Sequence, residues 1–130
     1  MKPLVLDSSA MIAIALREKR GDQARRMIRA VPGNCFIHAV NAFEVVCVLI
    51  RKGVAKDGAW NVLTTGGVMI VDEIPSEMTR RAVDLKLEDQ DLSLGDCHCL
   101  AFAEDIGGQL LTTDERLAGA SKIVKTVHLQ

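Results

Sequence analysis

Four carboxylates lie in or directly beside apolar runs of this sequence, where a charged side chain is unusual. Asp7 and Asp114 each follow a short run rich in Leu, Val and Thr, while Glu44 and Asp96 interrupt longer apolar stretches. Burying an isolated charge costs roughly tens of kcal/mol, so such an acid is paired, hydrogen-bonded, neutralised or bound to a metal. One divalent cation bound by all four acids would account for the whole set.

Helix capping is a structural explanation that stays open for each acid alone. The spacings Asn41-x-x-Glu44 and Ser93-x-x-Asp96 fit a capping box, in which the third helical residue reaches back to the N-cap amide. By the same reasoning, an Asp that ends a strand can be the N-cap of the segment that follows.

The joint placement of the acids favours a shared site. Asp7 and Asp114 lie at the carboxyl ends of predicted strands, whereas Glu44 and Asp96 lie at predicted helix starts. In an open parallel α/β sheet these positions lie along one edge, where ligands bind. The helix dipole also favours a negative charge in a first helical turn by about 0.3 to 1 kcal/mol.

Strand-like and helix-like segments alternate along the chain, which predicts an α/β fold with parallel strands and right-handed crossovers. The predicted strands are Leu4–Leu6, Cys35–Ile37, Val68–Val71, Leu110–Thr112 and Ile123–Val127. The predicted helices are Ser9–Arg17, Asp22–Ala30, Asn41–Lys52, Lys56–Leu63, Glu77–Leu87 and Leu94–Asp105. The third and last helices are apolar on nearly all faces, so we expect them to pack centrally or to form a subunit interface.

Length and composition indicate one globular domain over residues 1–130. Hydrophobic residues make up 48% and charged residues 25% of the 130, which is ordinary for such a domain. Asp7 divides the apolar N-terminal stretch and leaves only Ala10–Leu16, which is short for a signal peptide. No segment approaches the length of a membrane span, so we expect a cytoplasmic protein without a membrane partner.

The four cysteines are expected to be reduced and buried, because they lie in apolar segments of a chain without an export signal. Cys97-His98-Cys99 resembles a zinc site at first sight. On a helix, however, residues two apart point about 200° away from each other, so the two thiols do not share one ion.

The charge balance neither indicates nor excludes nucleic acid, since 16 basic and 17 acidic residues give a net charge of -1. When the four candidate metal ligands are left out of the count, 13 acidic and 16 basic residues remain. Local basic clusters can contact phosphates, although a solvated helix face is an equal explanation for each. They lie at residues 17–20, 25–29, 51–52 and 80–81. Aromatic residues are scarce, which argues against a stacking platform for bases.

Four segments in order resemble PIN-domain proteins, and in particular the VapC toxins of prokaryotic toxin–antitoxin pairs. These are residues 5–10 (VLDSSA), 41–45 (NAFEV), 92–97 (LSLGDC) and 110–117 (LLTTDERL). The resemblance extends over essentially the whole chain in length, element order and acid spacing. It implies a three-layer α/β/α domain with a parallel five-stranded sheet.

The same resemblance implies a ribonuclease that hydrolyses RNA phosphodiester bonds with one or two Mg²⁺ or Mn²⁺ ions. Such hard cations prefer oxygen ligands, and they activate water and offset charge on the attacked phosphate. Asp7 and Asp96 would be direct ligands, with Glu44 and Asp114 binding through water or holding a second ion. By motif position, the supporting hydroxyl would come from Thr112, with assistance from Ser8 and Ser9. None of the three histidines is required, so we expect them to be structural or surface residues.

The implied partners are RNA, a homodimeric second copy and a VapB-type antitoxin. Two other classes fit less well. A receiver-like phosphorelay domain requires an acidic pair near the first strand and a Lys after the last, and neither is clear. A haloacid-dehalogenase-type phosphatase requires a second Asp where this chain has Ser9. A non-catalytic PIN module that binds RNA or a partner protein is the remaining alternative.

Overall fold

Five short parallel strands form the central sheet of the computed structural model, which describes residues 2–130. They are β1 (Leu4–Leu6), β2 (Cys35–His38), β3 (Met69–Val71), β4 (Gln109–Thr112) and β5 (Thr126–His128). The strand order is β3-β2-β1-β4-β5. After β1 the chain builds one side of the sheet and then crosses to the other, which opens a crevice at the carboxyl ends of β1 and β4.

Six helices connect and cover these strands. They are α1 (Ser8–Ala15), α2 (Lys19–Ala30), α3 (Ala39–Arg51), α4 (Lys56–Thr65), α5 (Ser76–Glu88) and α6 (Leu94–Ile106). The α/β class and the parallel five-stranded sheet predicted from the sequence are therefore confirmed. Within the described residues no helix is long and apolar enough to cross a membrane.

The side chains of the central strand explain the three layers. Leu4 and Leu6 of β1 pack in a cluster with buried residues of α1 to α4, while Val5 packs with buried residues of α5 and α6. Successive side chains of a strand point to opposite faces, and a parallel sheet is buried on both. Leu110 and Leu111 of β4 alternate in the same way, so the sheet lies between two helical layers.

Several predicted boundaries are wrong by one to three residues; α2, for example, begins at Lys19, three residues before the predicted Asp22, without a side-chain cap. Two of the errors involve side chains that bind backbone groups. Helix α3 begins two residues before Asn41, because the His38 ring caps it: Nδ1 accepts the Val40 N–H at 3.2 Å. Asn41 is therefore not an N-cap, and Glu44 lies in the second helical turn. Strand β5 begins at Thr126 because Ser121 Oγ accepts the backbone N–H groups of residues 123 and 124, which form a turn.

A buried ion pair joins α5, α6 and the segment before β5. Arg81 donates from Nε to Glu104 Oε1 at 2.6 Å and from Nη2 to Oε2 at 3.2 Å, and Ser121 Oγ donates to Oε2 at 2.7 Å. Burial opposes ionisation of Glu104, but these hydrogen bonds and the Arg81 charge outweigh it and lower the pKa of the carboxyl group. The network fixes the helical layer that carries α6.

All four cysteines are free thiols. Cys35, Cys97 and Cys99 are buried, and Cys47 is half-buried. Burial raises the pKa of Cys35, Cys97 and Cys99, so these three thiols stay protonated.

Candidate active site

Asp7 lies directly after β1, at the crevice formed where the strand order reverses. Its carboxylate is 3% exposed and is the N-cap of α1, since Oδ1 accepts the Ala10 N–H at 2.8 Å. Its own N–H donates to Leu111 O of β4 at 3.2 Å. The N-cap expectation is thus confirmed for Asp7, and the same carboxylate also faces two hydroxyl groups.

Ser9 and Thr112 connect Asp7 to the turn that follows β4. Ser9 Oγ donates to Asp7 at 2.7 and 2.9 Å and accepts the Thr113 N–H at 3.0 Å. Thr112 Oγ1 donates to Asp7 Oδ2 and accepts the Asp114 N–H at 2.9 Å. Because a hydroxyl has one proton and two lone pairs, each can make both bonds at once.

The hydroxyl contacts to Asp7 in residues 2–130 come from Ser9 and Thr112, whereas Ser8 makes none. Ser8 is the first residue of α1 and is half-buried. A direct role for Ser8 stays a prediction without a contact to support it.

Glu44 is held between α3 and α6 by Asn41. Asn41 is 1% exposed, and its Nδ2 donates to Glu44 Oε1 at 3.0 Å and to Gly95 O of α6 at 3.1 Å. Its Oδ1 is buried and has no partner among the described residues. A Cβ atom on Gly95 would lie 2.3 Å from Glu44 Oε1, so the carboxylate fits there only because residue 95 is glycine.

Asp96 lies in the first turn of α6 and completes a capping box. Its Oδ2 accepts the Ser93 N–H at 3.1 Å, and its own N–H donates to Ser93 Oγ at 3.0 Å. The capping-box prediction is confirmed here. The carboxylate is half-exposed, so it has a structural role and still faces the site.

Asp96 acts electrostatically on two of the other predicted acids. Burial raises the pKa of Asp7 to about 6, with hydrogen bonds from Thr112, Ala10 and Ser9 opposing this and the Asp96 charge adding to it. Burial likewise raises the pKa of Glu44 and the Asp96 charge adds to it, while the Asn41 hydrogen bond and the His98 charge oppose it. The structure therefore places Asp96 within electrostatic reach of both Asp7 and Glu44.

Asp114 lies at the same edge but in a different arrangement. Its Oδ1 accepts the Arg116 N–H at 2.9 Å and lies 3.6 Å from Arg116 Nε. The Asp114 carboxylate caps a turn rather than a helix. Asp114 is linked to Asp7 through Thr112, whose hydroxyl accepts the Asp114 N–H and donates to Asp7.

Within residues 2–130, no three His, Cys, Asp or Glu side chains are close enough together to form a ready-made metal site. The donor chemistry nevertheless fits a hard divalent cation. Asp7, Glu44 and Asp96 present only carboxylate oxygens, and the Asp96 charge raises the pKa of both Asp7 and Glu44. A cation among them would stabilise all three charges.

Sequence analysis missed two residues of this arrangement, and the expectation that no histidine is required stays a prediction. Asn41 was interpreted as a cap and Gly95 was only part of a motif, whereas Ser9 was expected to assist beside Ser8. The spacing of Asn41 three residues before Glu44 puts both on one helix face, and this was the available signal. His38 is buried and caps α3, and its Nε2 lies 3.0 Å from Glu73 O.

Comparisons with known proteins agree with this fold. The PIN domain family matches residues 4–123, so the chain belongs to the PIN domain family. A toxin–antitoxin complex from Klebsiella pneumoniae contains a chain that is 23% identical, with a TM-score of 0.74 over 93% of this chain and 94% of that chain. A comparison with curated proteins finds no match.

Two further solved structures have the same fold. PAE2754 from Pyrobaculum aerophilum is 19% identical, with a TM-score of 0.66 over 97% of this chain and 90% of that chain. The Mycobacterium tuberculosis toxin VapC20, described as cleaving the sarcin–ricin loop, is 14% identical, with a TM-score of 0.70 over 91% and 95%. At these identities the likeness establishes the fold.

Proposed function

We propose that this chain is a divalent-metal-dependent endoribonuclease and the toxin of a type II toxin–antitoxin pair. The observation that carries the proposal is the position of Asp96, whose charge acts on both the buried Asp7 at the crevice and Glu44. Burial and the Asp96 charge raise the pKa of Asp7 and of Glu44, which is typical of a functional carboxylate site. Family membership supports the reaction class.

Asp7 and Asp96 would hold Mg²⁺ or Mn²⁺, with Glu44 and Asp114 binding through water or holding a second ion. When bound, such an ion activates water and offsets charge on the phosphate. Ser9 and Thr112 orient the Asp7 carboxylate, and Asn41 orients the Glu44 carboxylate. These polar contacts fix where negative charge is concentrated before RNA enters.

The experiment is cleavage of a structured RNA by the purified chain with Mg²⁺ or Mn²⁺. We expect cleavage to stop on adding EDTA and in the variants Asp7→Asn, Asp96→Asn and Asp114→Asn, which remove charge but little volume. Asp57→Asn is the matched control, because Asp57 is exposed on α4. Equal cleavage by all four variants would show that another site or a contaminating nuclease is responsible.

A non-catalytic PIN module that binds RNA or a protein is the second candidate. The placement of Asp114 on its own turn, bound to Arg116, favours it. An intact chain that binds RNA but does not cleave it with Mg²⁺ or Mn²⁺ would identify this alternative.

An antitoxin partner and a homodimer are part of the proposal. The Klebsiella pneumoniae structure is described as a toxin–antitoxin complex. A carboxylate pocket is suited to bind a guanidinium, whose planar fork pairs with a carboxylate. Expression of this chain alone should slow the growth of its host, and co-expressing a neighbouring antitoxin gene should restore growth. Replacing the arginines of the antitoxin's tail should weaken inhibition of RNA cleavage.

Exposed apolar side chains support dimer formation through α3 and α6. Phe43 and Leu94 are 66% and 70% exposed, which is unusual for side chains of this size. We expect light scattering to show a dimer for the unaltered chain and a monomer for Phe43→Ser combined with Leu94→Ser. A monomeric mass for the unaltered chain would contradict the dimer.

A further inference from the structure

The corner between α1 and α2 carries an unusual concentration of positive charge. Residues 17–29 include six of the sixteen basic residues and two of the seventeen acidic ones, so this segment carries +4 while the rest of the chain carries −5. We define the basic corner as the four cations Arg17, Lys19, Arg26 and Arg29, which are all exposed.

The acids of this segment do not neutralise the basic corner. Glu18 pairs with Arg20 at 3.0 Å, and Asp22 pairs with Arg25 at 2.6 Å. Arg29 contacts only a backbone carbonyl, that of Arg25, at 3.4 Å. Within the described residues, the four cations of the basic corner therefore have no acidic partner.

The corner is held rigidly, so its charges are presented in a fixed arrangement. A Cβ atom on Gly21 would lie 2.4 Å from Ala13 O, which shows how closely α2 approaches α1. Arg25 Nη2 donates to Ile14 O at 2.9 Å across the same corner. Arg17 adopts φ 56°, a left-handed conformation that is costly for a side chain with Cβ and tends to persist at functional sites.

The basic corner begins near the carboxylates. Helix α1 begins directly after Asp7 and is eight residues long, about 12 Å. Gln23 of α2 accepts the backbone N–H of Gln130 at 3.0 Å, and Gln130 follows the carboxyl end of β5. The start of α2 is therefore at the edge of the sheet where Asp7 lies, whereas its last turns, with Arg26 and Arg29, lead towards the amino end of β2.

We propose that the basic corner binds the phosphate backbone of RNA that extends from the carboxylate site along α2. This rests on the proposed function, and charge complementarity favours RNA as the occupant. The carboxylates repel a polyanion, so the unpaired cations after α1 and along α2 supply the attraction that they cannot. Contacts to phosphates are sequence-independent, so the corner sets affinity rather than the cleavage sequence.

The test measures RNA binding without cleavage. The parent is the full chain with Asp96→Asn, and the probe is a fluorescein-labelled 12-nucleotide single-stranded RNA of mixed sequence, followed by anisotropy between 50 and 300 mM NaCl. The corner variant adds Arg17→Ala, Lys19→Ala, Arg26→Ala and Arg29→Ala. The matched control instead adds Arg51→Ala, Lys52→Ala, Lys56→Ala and Lys122→Ala, four exposed cations elsewhere.

We expect the corner variant to lose at least tenfold in affinity at 50 mM NaCl. The slope of log affinity against log salt should fall by roughly 0.7 for each phosphate contact removed. The control variant should lose less than threefold, and circular dichroism should be unchanged in both. Equal losses in the two variants would overturn the inference, because they would reflect net charge alone.

Two other outcomes separate this inference from the proposed function. If the parent binds RNA and the corner variant binds it equally well but no longer binds the antitoxin, the corner is a protein-binding surface and the inference is wrong. If the parent does not bind this RNA at any salt concentration, the inference is wrong, whereas cleavage of structured RNA by the unaltered chain decides the proposed ribonuclease function separately.

Discussion

Gly95 of α6 leaves the space that the Glu44 carboxylate of α3 occupies: a Cβ atom at residue 95 would lie 2.3 Å from Glu44 Oε1. Heavy atoms do not approach so closely without displacement. Where the two helices meet, α3 therefore contributes the Glu44 carboxylate and α6 contributes only the backbone of Gly95.

Gly95→Ala should reduce RNA cleavage because Glu44 must move. We expect a loss of about 10- to 100-fold in kcat/KM, since small displacements of a catalytic group have effects of this size. The matched control is Gly58→Ala in α4, where the nearest atom to a new Cβ is 3.6 Å away. That change should stabilise the helix by about 0.5 to 1 kcal/mol and leave cleavage unchanged. Unaltered cleavage in Gly95→Ala would show that the position of Glu44 does not matter.

Asn41→Ala should shift the acidic limb of the pH–rate profile to higher pH. The Asn41 hydrogen bond lowers the pKa of Glu44 against the effect of burial, so its removal raises that pKa and ionisation requires a higher pH. Stability should also fall by about 1 to 3 kcal/mol, because Gly95 O loses its buried donor. Asn61→Ala, at an exposed position, is the control. A lower stability with an unshifted profile would indicate a structural role alone.

Asp7 should make the metal-free protein less stable as the pH rises. The pKa of Asp7 is about 6 in the folded chain and 3.8 as its ordinary value, so between these the folded state holds a proton that the unfolded state has lost. The free energy of unfolding should fall by roughly 3 kcal/mol between pH 3 and 7, with about 2 kcal/mol of this lost between pH 4 and 6, and should then level off.

Urea unfolding in EDTA at pH 4.5 and pH 7.5 measures this effect, with Asp7→Asn as the variant that lacks it. Between pH 4.5 and pH 7.5 the free energy of unfolding should fall more for the unaltered chain than for Asp7→Asn. Replacing EDTA with Mg²⁺ at pH 7.5 should recover the lost stability only in the unaltered chain. The same pH dependence in both proteins would show that Asp7 is not the group responsible.

Arg81→Met should destabilise the fold by about 3 to 5 kcal/mol. It leaves Glu104, whose side chain is 8% exposed, without its bidentate partner. Arg20→Met removes an exposed pair, with side chains 43% and 39% exposed, and should cost less than about 1 kcal/mol. Thermal or urea unfolding compares the two. Similar losses would mean that burial does not distinguish these ion pairs.

The fold was predictable because local patterns and global architecture agree in this chain. Short Val- and Leu-rich strands alternate with helices, and only a parallel sheet satisfies that order. The errors lie at boundaries, and two of them lie where a side chain replaces a backbone partner. His38 begins α3 early by capping it, and Ser121 delays β5 by accepting two N–H groups; neither effect has a periodic signature in the sequence.

The candidate site was predictable to the level of its acids. Asp7 and Asp96 could be identified because each is a charged residue in or beside an apolar run. The sequence pattern does not reveal which neighbouring side chain orients each carboxylate. Asn41 contacts Gly95 across 54 positions in the chain, and Thr112 contacts Asp7 across 105. Such contacts depend on how helices and strands pack, so they became visible only in three dimensions.

The burial of Asp7 has an evolutionary consequence. Because its ionised form opposes folding, a substitution that abolishes the carboxylate is expected to leave a chain that folds at least as well. If the activity harms the host, selection would then favour loss of the Asp7 carboxylate, and selection for a stable fold would not oppose that loss. Lineages that escape the activity should retain intact, abundant copies of the protein, available for recruitment to other tasks.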